Sequence, residues 1–177
     1  MEPVVSINAK SEDILQTSGP VTADAFRNAM GHFLTGVTIV TTRCPSAGTP
    51  YGLTVSSFNS VSLDPPLILW SLDLGNDRAT LFREAAGFTV NVLPSGCEDL
   101  IRTFAAPDAE RFSNTAWHWG KTGQPVLDEA IASFECRLWA EYPGGDHAIF
   151  VGEVIDITTR DGEAAAYFKG RLGTYPT

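Results

Sequence analysis

Small hydroxyl side chains crowd one stretch of the chain and could together bind a ligand. Within nine residues the sequence carries Thr54, Ser56, Ser57, Ser60 and Ser62, followed by Pro65 and Pro66. Hydroxyls and free backbone N–H groups can hydrogen-bond phosphate oxygens without adding positive charge. Val55, Phe58 and Val61 lie between the hydroxyls and could wall a flat ring. The stretch predicts a site for an anionic, planar ligand; the alternative is an edge strand whose hydroxyls meet only water.

Two further polar positions adjoin apolar segments. The first is Thr35-Gly36-Val37-Thr38, between a predicted helix and a predicted strand. Glycine there would let the backbone approach a flat ring closely; an ordinary helix end terminated by glycine is the alternative. The second is Asn91, inside an apolar run. Asn91 either contacts the edge of a ligand or satisfies a neighbouring backbone group.

A histidine follows a tight turn in the segment Gly145-Asp146-His147. A tight turn fixes the backbone next to it, so the imidazole has a defined position and faces solvent or a cleft. His147 is therefore a candidate contact for a second, dissociable substrate. The alternative is a turn residue that happens to be histidine.

Several familiar catalytic motifs are missing from the chain. It contains no G-x-S-x-G, H-E-x-x-H, Walker A or G-x-G-x-x-G stretch, so a hydrolase or a Rossmann dehydrogenase finds no support. Cys44, Cys97 and Cys136 are odd in number and far apart, which argues against a disulfide framework and predicts no metal site. Hydride transfer through a flavin needs neither a nucleophile nor a metal from the protein. A flavin is therefore the planar ligand that these residues favour.

Composition and charge narrow the class of protein. The 177 residues are 44% hydrophobic and carry a net charge of −9 without a Lys/Arg run, so nucleic acid and anionic membranes are poor partners. The N-terminus resembles no signal peptide, and no apolar run is long enough to span a membrane, which predicts a cytoplasmic protein. Residues 1–20 are polar and aperiodic and predict a mobile arm. Residues 21–177 are expected to form one domain.

The apolar patterns predict many strands and few helices. We expect a helix capped by Thr22, with an apolar stripe of Phe26, Met30, Phe33 and Leu34. Strands are predicted at 37–42, 51–59, 67–72, 88–93, 132–142, 147–159 and 165–168, with short helices at 77–84 and 98–105 and an irregular segment at 106–129. The turn at 143–146 predicts a hairpin. The expected fold is mainly β, an antiparallel barrel flanked by short helices.

The motifs together resemble a known family, the short-chain flavin reductases. The matching segments are Phe-Leu-Thr-Gly-Val-Thr at 33–38, Thr-Val-Ser-Ser-Phe-Asn-Ser-Val-Ser-Leu-Asp-Pro-Pro at 54–66, Phe-Thr-Val-Asn-Val-Leu at 88–93, Glu-Arg-Phe at 110–112, Phe-Glu-Cys at 134–136, Gly-Asp-His at 145–147 and Tyr-Phe-Lys-Gly-Arg at 167–171. The resemblance spans about residues 22–175. Members of this family are the reductase components of two-component flavin-dependent monooxygenases, built on the FMN-binding split barrel.

The resemblance implies a homodimer that reduces FMN or FAD with NADH or NADPH and releases reduced flavin to a separate oxygenase. It implies that residues 54–57 contact the isoalloxazine and ribityl chain, that residues 60–62 hold the phosphate, and that His147 lies beside the nicotinamide. Two other functions stay open at this point. One is a flavoprotein that keeps its flavin as a carrier or electron-transfer module, and the other is a barrel that binds a different small ligand.

Overall fold

The computed structural model describes residues 19–76, 79–107 and 110–175. The elements in chain order are α1 (Ala23–Met30), β1 (Thr35–Gly36), β2 (Thr38–Arg43), β3 (Pro50–Val55), β4 (Asn59–Leu63), β5 (Pro66–Asp73), α2 (Ala79–Glu84), β6 (Gly87–Val92), α3 (Glu98–Ala105), β7 (Trp117–Trp119), β8 (Pro125–Leu127), β9 (Ala132–Gly144), β10 (His147–Thr159), β11 (Ala164–Phe168) and β12 (Arg171–Tyr175). The prediction of a mainly β protein with short helices is confirmed. The predicted mobile arm lies outside the described residues, apart from Gly19 and Pro20.

A seven-stranded antiparallel sheet forms the framework, in the order β3-β2-β6-β9-β10-β5-β4. Its two outer strands, β3 and β4, are neighbours in the chain and are joined only by residues 56–58. Because four residue steps reach at most about 14 Å, the two edges of the sheet must curl towards each other. No ladder joins β3 to β4, so hydrogen bonds do not close the sheet. The hydroxyl-rich segment therefore lies at the gap between the two edges.

Ser57 fastens this linking segment to the opposite side of the gap. Its hydroxyl accepts a hydrogen bond from the Ser71 backbone N–H at 2.9 Å and donates to the Ser71 carbonyl at 3.2 Å. Ser71 belongs to β5, whereas the segment leaves β3. One side chain thus holds the two sheet edges at a fixed separation.

Two smaller sheets complete the described fold. Strands β1, β11 and β12 form a three-stranded antiparallel sheet, and β7 pairs with β8. Lys169 and Gly170 both have positive φ, at 48° and 76°, and connect β11 to β12. This is the two-residue turn whose twist matches that of the flanking strands. The Lys169 N–H also donates to the Gly31 carbonyl at the end of α1, which ties the turn to that helix.

Two apolar cores support the sheets. Trp70, Phe82, Phe88 and Phe150 pack inside the curled sheet, with the Trp70 and Phe150 rings stacked 4.9 Å apart. A second core, built around Ile39, Leu93, Ile101 and Phe104, lies between α3 and the sheets. The buried face of α3 thereby fixes the helix against β3. This contact positions one wall of the site described below.

The first helix follows the sequence pattern at its start but not in its packing. Thr22 caps α1 by accepting a hydrogen bond from the Ala25 N–H at 3.2 Å, as its position predicts. The apolar stripe at Phe26, Met30, Phe33 and Leu34 is 49–64% exposed. These large apolar side chains thus remain outside the core of the described chain.

The sequence pattern underestimates the number of strands. Six or seven are expected, whereas twelve are present in the described residues. The predicted strand at 51–59 ends at Val55, and a separate strand, β4, begins at Asn59. The irregular segment contains the β7–β8 hairpin, and β12 follows β11. The predicted helix at 77–84 is present as α2, although residues 77 and 78 lie outside the description. None of the described helices is long and apolar enough to cross a membrane.

Candidate ligand-binding site

Three cavities meet at Ser56 in the gap between the sheet edges. The helix cavity, of about 770 Å³, reaches α1 and is lined by Arg27, Phe33, Thr35, Ser57, Asn59 and Lys169. The histidine cavity, of about 390 Å³, contains Thr54, Ser57, Asp73, Arg111 and His147. The arginine cavity, of about 720 Å³, contains Val37, Glu98, Ile101, Arg102 and Arg171. Ser56 lines all three cavities, so a ligand beside it could extend in three directions.

The predicted hydroxyl cluster divides into bound and free groups. Thr54 donates to the Ile101 carbonyl at 2.8 Å, and Ser57 is engaged with Ser71. The hydroxyls of Ser56, Ser60 and Ser62 make no hydrogen bond with any described residue. Ser60 and Ser62, with half-exposed Val61, lie on β4 beyond the lining of the three cavities. The free hydroxyls therefore form a rim along the gap, which we call the serine rim: Ser56, Ser60 and Ser62.

The segment Thr35-Gly36-Val37-Thr38 contributes unequally. Thr35 lines the helix cavity, and its buried hydroxyl has no hydrogen-bond partner among the described residues. Gly36 is exposed, with open space where a Cβ would stand. Val37 is buried in the second core and also lines the arginine cavity. Thr38 is buried and donates to the Val55 carbonyl. Thr35 is therefore the member of this segment that most needs an external partner.

The Asn91 side chain forms hydrogen bonds inside the sheet and does not line the three cavities. The side chain is completely buried, and its amide nitrogen donates to the Ile39 carbonyl and to the Thr41 hydroxyl. Its amide oxygen accepts from the Leu127 N–H and from the Ser133 hydroxyl. All four hydrogen-bonding positions of the amide are thus occupied. Of the two alternatives left open by the sequence, the structure supports the internal one, and Asn91 is not available to a ligand.

His147 stands at the mouth of the histidine cavity, directly after the β9–β10 turn. Gly145 has φ of 75° in that turn, and His147 pairs across the sheet with Asp73. The His147 Nδ1 lies 2.8 Å from the Asp146 carboxylate. That hydrogen bond and the imidazole's charge lower the pKa of Asp146. The carboxylate orients the ring, which shares its cavity with Ser56 and Ser57.

Arg111 was not assigned a role from the sequence, yet it forms part of the histidine cavity. Its guanidinium donates to the Gly52 carbonyl at 2.8 Å and to the Ala106 carbonyl at 2.7 Å, and it lies 5.2 Å from the centre of the Tyr51 ring. Its buried Nε has no hydrogen-bond partner among the described residues. Arg111 thus fixes a positive charge in the cavity wall. The Glu-Arg-Phe motif was the signal that could have indicated this position.

Positive charge is concentrated around the three cavities. Of the twelve Lys and Arg residues in the chain, five line these cavities, namely Arg27, Arg102, Arg111, Lys169 and Arg171. Among the described residues only Asp73 and Glu98 contribute carboxylates to the same walls. An acidic protein with net charge −9 thus presents a locally basic site. Such a site suits an anionic ligand.

The cysteines lie apart from this site. Burial raises the pKa of Cys97 to about 11 and that of Cys136 to about 12, so both are neutral thiols near pH 7. The described residues contain no group of His, Cys, Asp or Glu side chains placed to hold a metal ion. The polar side chains that line the three cavities include hydroxyls, cations and His147.

The fold and the site together define a class of protein, in which a curled antiparallel sheet places hydroxyls, cations and an imidazole around three connected cavities. Residues 30–176 match the family described as the flavin reductase like domain. This match covers most of the chain, and the chain belongs to that family.

Named relatives agree with this assignment. The chain is 39% identical to the FMN reductase (NADH) SmoA of Agrobacterium fabrum, over 99% of this chain and 98% of that protein. It is 38% identical to the reductase component of 4-nitrophenol 4-monooxygenase/4-nitrocatechol 2-monooxygenase of Rhodococcus opacus, over 93% of this chain and 85% of the relative. The solved structure of the Streptomyces globisporus NADH:FAD oxidoreductase SgcE6, in complex with NAD and FAD fragments, superposes with a TM-score of 0.84 at 34% identity, covering 92% of this chain and 98% of that one.

Proposed function

We propose that this protein is an NADH-dependent flavin reductase that supplies reduced FMN or FAD to a separate oxygenase. The observation that carries the proposal is the junction of three cavities at Ser56, with free hydroxyls on one side and His147 on another. Family membership supplies the reaction class. The names of the relatives favour NADH as the reductant, with NADPH as the alternative.

The residues present fit a flavin. A flavin combines a flat apolar ring system with a ribityl chain and a phosphate. Ser56 and Val55 offer a wall for the ring at the junction of the cavities. The unpartnered Thr35 hydroxyl and the free groups of Ser60 and Ser62 offer hydrogen bonds to its polar edge and its phosphate. Val61, Gly36, Val37 and Thr38 are proposed to shape the same site through their backbone and methyl groups. Asn91 is left out of this proposal because its amide is occupied.

The histidine cavity is the proposed place for the nicotinamide. Its lining includes Ser56 and Ser57 as well as Arg111 and His147. Asp146 and the rigid turn hold the imidazole in one orientation. Stacking of two rings in a fixed geometry lowers the entropic part of the barrier to transfer between them. His147 is therefore proposed as a positioning residue for the nicotinamide.

A bound flavin would accept a hydride from the nicotinamide and carry the resulting negative charge. The protein's part is to hold the two rings face to face, to exclude water from the contact, and to place donors near the growing charge. Arg111 supplies a fixed cation within the same wall, and Ser56 supplies a hydroxyl. Neither residue has to give up a proton. The site therefore needs no general acid or base.

Release of the product is part of the proposal, because an oxygenase partner requires diffusible reduced flavin. The serine rim is open to solvent, and its donors are neutral hydroxyls, which bind phosphate less strongly than a bidentate arginine would. The names of two relatives differ in the flavin that they give, FMN in one and FAD in the other. The proposal therefore includes both flavins.

Three structural expectations belong to the same proposal. The sheet, curled but not closed by hydrogen bonds, is consistent with a split barrel. The exposed apolar side chains of Phe26 and Met30 in α1, and of Phe33 and Leu34 just after it, favour a homodimer that covers them. We also propose that residues 21–177 act as one domain in the cytoplasm, with residues 1–20 as an arm. Light scattering of the purified protein tests the dimer.

The direct test is the oxidation of NADH followed at 340 nm with and without added FMN, FAD or riboflavin. The proposal expects consumption of NADH that depends on added flavin and saturates with it. The proposal would be contradicted if none of the added flavins stimulated the oxidation of either NADH or NADPH. A yellow protein that keeps its flavin through dialysis and scarcely turns over free flavin would instead indicate a carrier.

His147→Ala tests the proposed place of the nicotinamide. Loss of one positioning contact of about 1.4 kcal/mol should lower kcat/KM for NADH about tenfold, while the affinity for flavin stays the same. His118→Ala is a matched control, because His118 also pairs with a carboxylate, that of Asp128 at 2.6 Å, away from the cavities. Loss of flavin binding with unchanged KM for NADH would assign His147 to the other ligand.

A further inference from the structure

Two arginines that share one cavity have no partner for their charge. Arg102 and Arg171 both line the arginine cavity, and neither forms an ion pair, a side-chain hydrogen bond or a cation–π contact within the described part of the chain. Glu98 lies one helical turn before Arg102 but forms no salt bridge with it. The two guanidinium groups therefore remain available to a ligand in this cavity.

The other arginines of the described chain are mostly engaged. Arg27, Arg83 and Arg137 pair with carboxylates. Arg43 lies over the Trp119 ring, and Arg111 donates to two carbonyls. Arg160 is the remaining one without a side-chain partner, and it lies outside the three cavities. Two of the three unengaged arginines thus line one cavity. They have no carboxylate partner although the chain contains 21 acidic and only 12 basic residues.

Both arginines belong to regular secondary structure, which fixes the positions of their backbones. Arg102 lies in the last turn of α3, whose Ile101 and Phe104 are buried in the second core. Arg171 begins β12, directly after the two-residue turn at Lys169 and Gly170. The lining of the same cavity also contains Val37, Ile101 and Leu172. The cavity thus combines two cations with apolar side chains.

This combination matches a nucleotide. Guanidinium groups bind phosphate oxygens through paired N–H donors, and an apolar wall can accept the face of a purine. Like charges without carboxylate partners also raise the local concentration of anions. Because Ser56 lines this cavity as well as the other two, a ligand whose ring lies at Ser56 can extend into it.

We propose that Arg102 and Arg171 form a subsite for the adenosine monophosphate portion of a dinucleotide. This portion is shared by FAD and NADH and is absent from FMN and from reduced nicotinamide mononucleotide. The proposal rests on the proposed function, since it requires a flavin or nicotinamide at the junction of the cavities. It adds a reason why the site would distinguish a dinucleotide from a mononucleotide.

The test uses the double variant Arg102→Gln/Arg171→Gln in the full chain, with Arg160→Gln as the control for loss of an unengaged arginine elsewhere. Thermal melting without ligand verifies the fold. Fluorescence titration of oxidised FAD and FMN measures flavin affinity without turnover. Steady-state assays give the KM for NADH and for reduced nicotinamide mononucleotide, and so test whether NADH occupies the subsite.

The expected result is about a tenfold rise in Kd for FAD with FMN unchanged, which identifies FAD as the occupant. A tenfold rise in KM for NADH, with reduced nicotinamide mononucleotide unchanged, would support the subsite with NADH as its occupant. The subsite would be overturned if the double variant lost affinity for FAD and FMN equally, or if neither the Kd for FAD nor the KM for NADH changed. In either case, flavin reductase activity of the wild-type protein would still support the proposed function. A wild-type protein that neither binds flavin nor oxidises NADH would overturn both.

Discussion

Two polar regions of this molecule use the same residue types for opposite purposes. Around Asn91, the hydroxyls of Thr41 and Ser133 are completely or almost completely buried and hydrogen-bonded to the protein. Along the serine rim, Ser56, Ser60 and Ser62 make no hydrogen bond with a described residue. Position in the sheet separates the two regions. The first lies in the interior of β2, β6 and β9, whereas the second follows the gap between the edge strands β3 and β4.

The comparison teaches that a hydroxyl-rich strand is a binding site only where the sheet leaves its groups without partners. Buried polar groups must be satisfied, because an orphan costs about 1–3 kcal/mol. Several interior threonines donate to carbonyls, as Thr42 does to Gly87, whereas the buried hydroxyl of Thr89 has no partner among the described residues. Hydroxyls of the serine rim need no protein partner, because water can hydrogen-bond to them when no ligand is bound. Ser57 is intermediate, since it lies at the rim but is bound to Ser71.

The largest effect that would sharpen this comparison is expected at Asn91. Asn91→Ala would strand the Leu127 N–H and the Ile39 carbonyl in the core, so the free energy of unfolding should fall by about 3 kcal/mol or more. Urea unfolding measures this loss. The affinity of the remaining folded protein for flavin should be unchanged, and a selective loss of flavin binding at full stability would return Asn91 to the ligand site.

Ser57→Ala should give a smaller loss that affects both stability and binding. Without its hydroxyl, the Ser71 N–H and carbonyl lose their partner, which should lower the free energy of unfolding by about 1–2 kcal/mol. Flavin affinity should fall as well, because the segment at the junction of the cavities is no longer fastened to β5. Ser57→Thr keeps the hydroxyl and serves as the control. Weaker flavin binding at unchanged stability would assign Ser57 a direct ligand contact instead.

Ser62→Ala should affect binding alone. Loss of one hydrogen bond to the flavin, worth about 1 kcal/mol, should raise the flavin Kd about fivefold. Urea unfolding should change by no more than about 0.5 kcal/mol, because half-buried Ser62 makes no hydrogen bond with a described residue that the substitution would break. Thr158→Ala removes an exposed hydroxyl of β10 and is the matched control. An unchanged Kd for both FMN and FAD would place the phosphate elsewhere.

The smallest effect concerns pH and the pair Asp146–His147. The pKa of Asp146 is lowered by its hydrogen bond to His147, so the folded state favours the ionised carboxylate. This contribution to stability is present above the ordinary carboxylate pKa, near 3.9, and is lost as the pH falls through the lowered value. The Tm difference between wild type and Asp146→Asn should therefore be small at pH 7 and vanish in acid. A difference that grew on acidification would contradict this sign.

Much of the framework could be predicted from local pattern. The α3 helix and the β10 strand have the predicted bounds. The predicted hairpin is present, but β9 extends through Gly144, so the turn is shorter than the predicted 143–146 and consists of Gly145 and Asp146. The strands β4 and β12 were missed because short edge strands with serine, glycine and charged residues resemble loops. Their pairing depends on partners distant in the chain, which a single sequence does not reveal.

Several residues that the sequence singles out lie together in the structure. The hydroxyl stretch and His147 were singled out from the sequence, and the structure brings Thr54, Ser56 and Ser57 together with His147 at one cavity. A neutral rim was expected, whereas five cations surround the cavities. Arg102 and Arg171 lie about seventy residues apart in the chain, so only the fold brings them together. Asn91 was ambiguous because its four partners come from three separate segments.

The central claim is that the flavin ring lies at Ser56, where the three cavities join. A crystal of the protein soaked with FMN tests this claim most directly. The account predicts density for the isoalloxazine beside Ser56, with the phosphate towards the serine rim and the histidine cavity left open for the nicotinamide. Density for FMN at another surface, or a fully occupied flavin that leaves Ser56 without a contact, would contradict it.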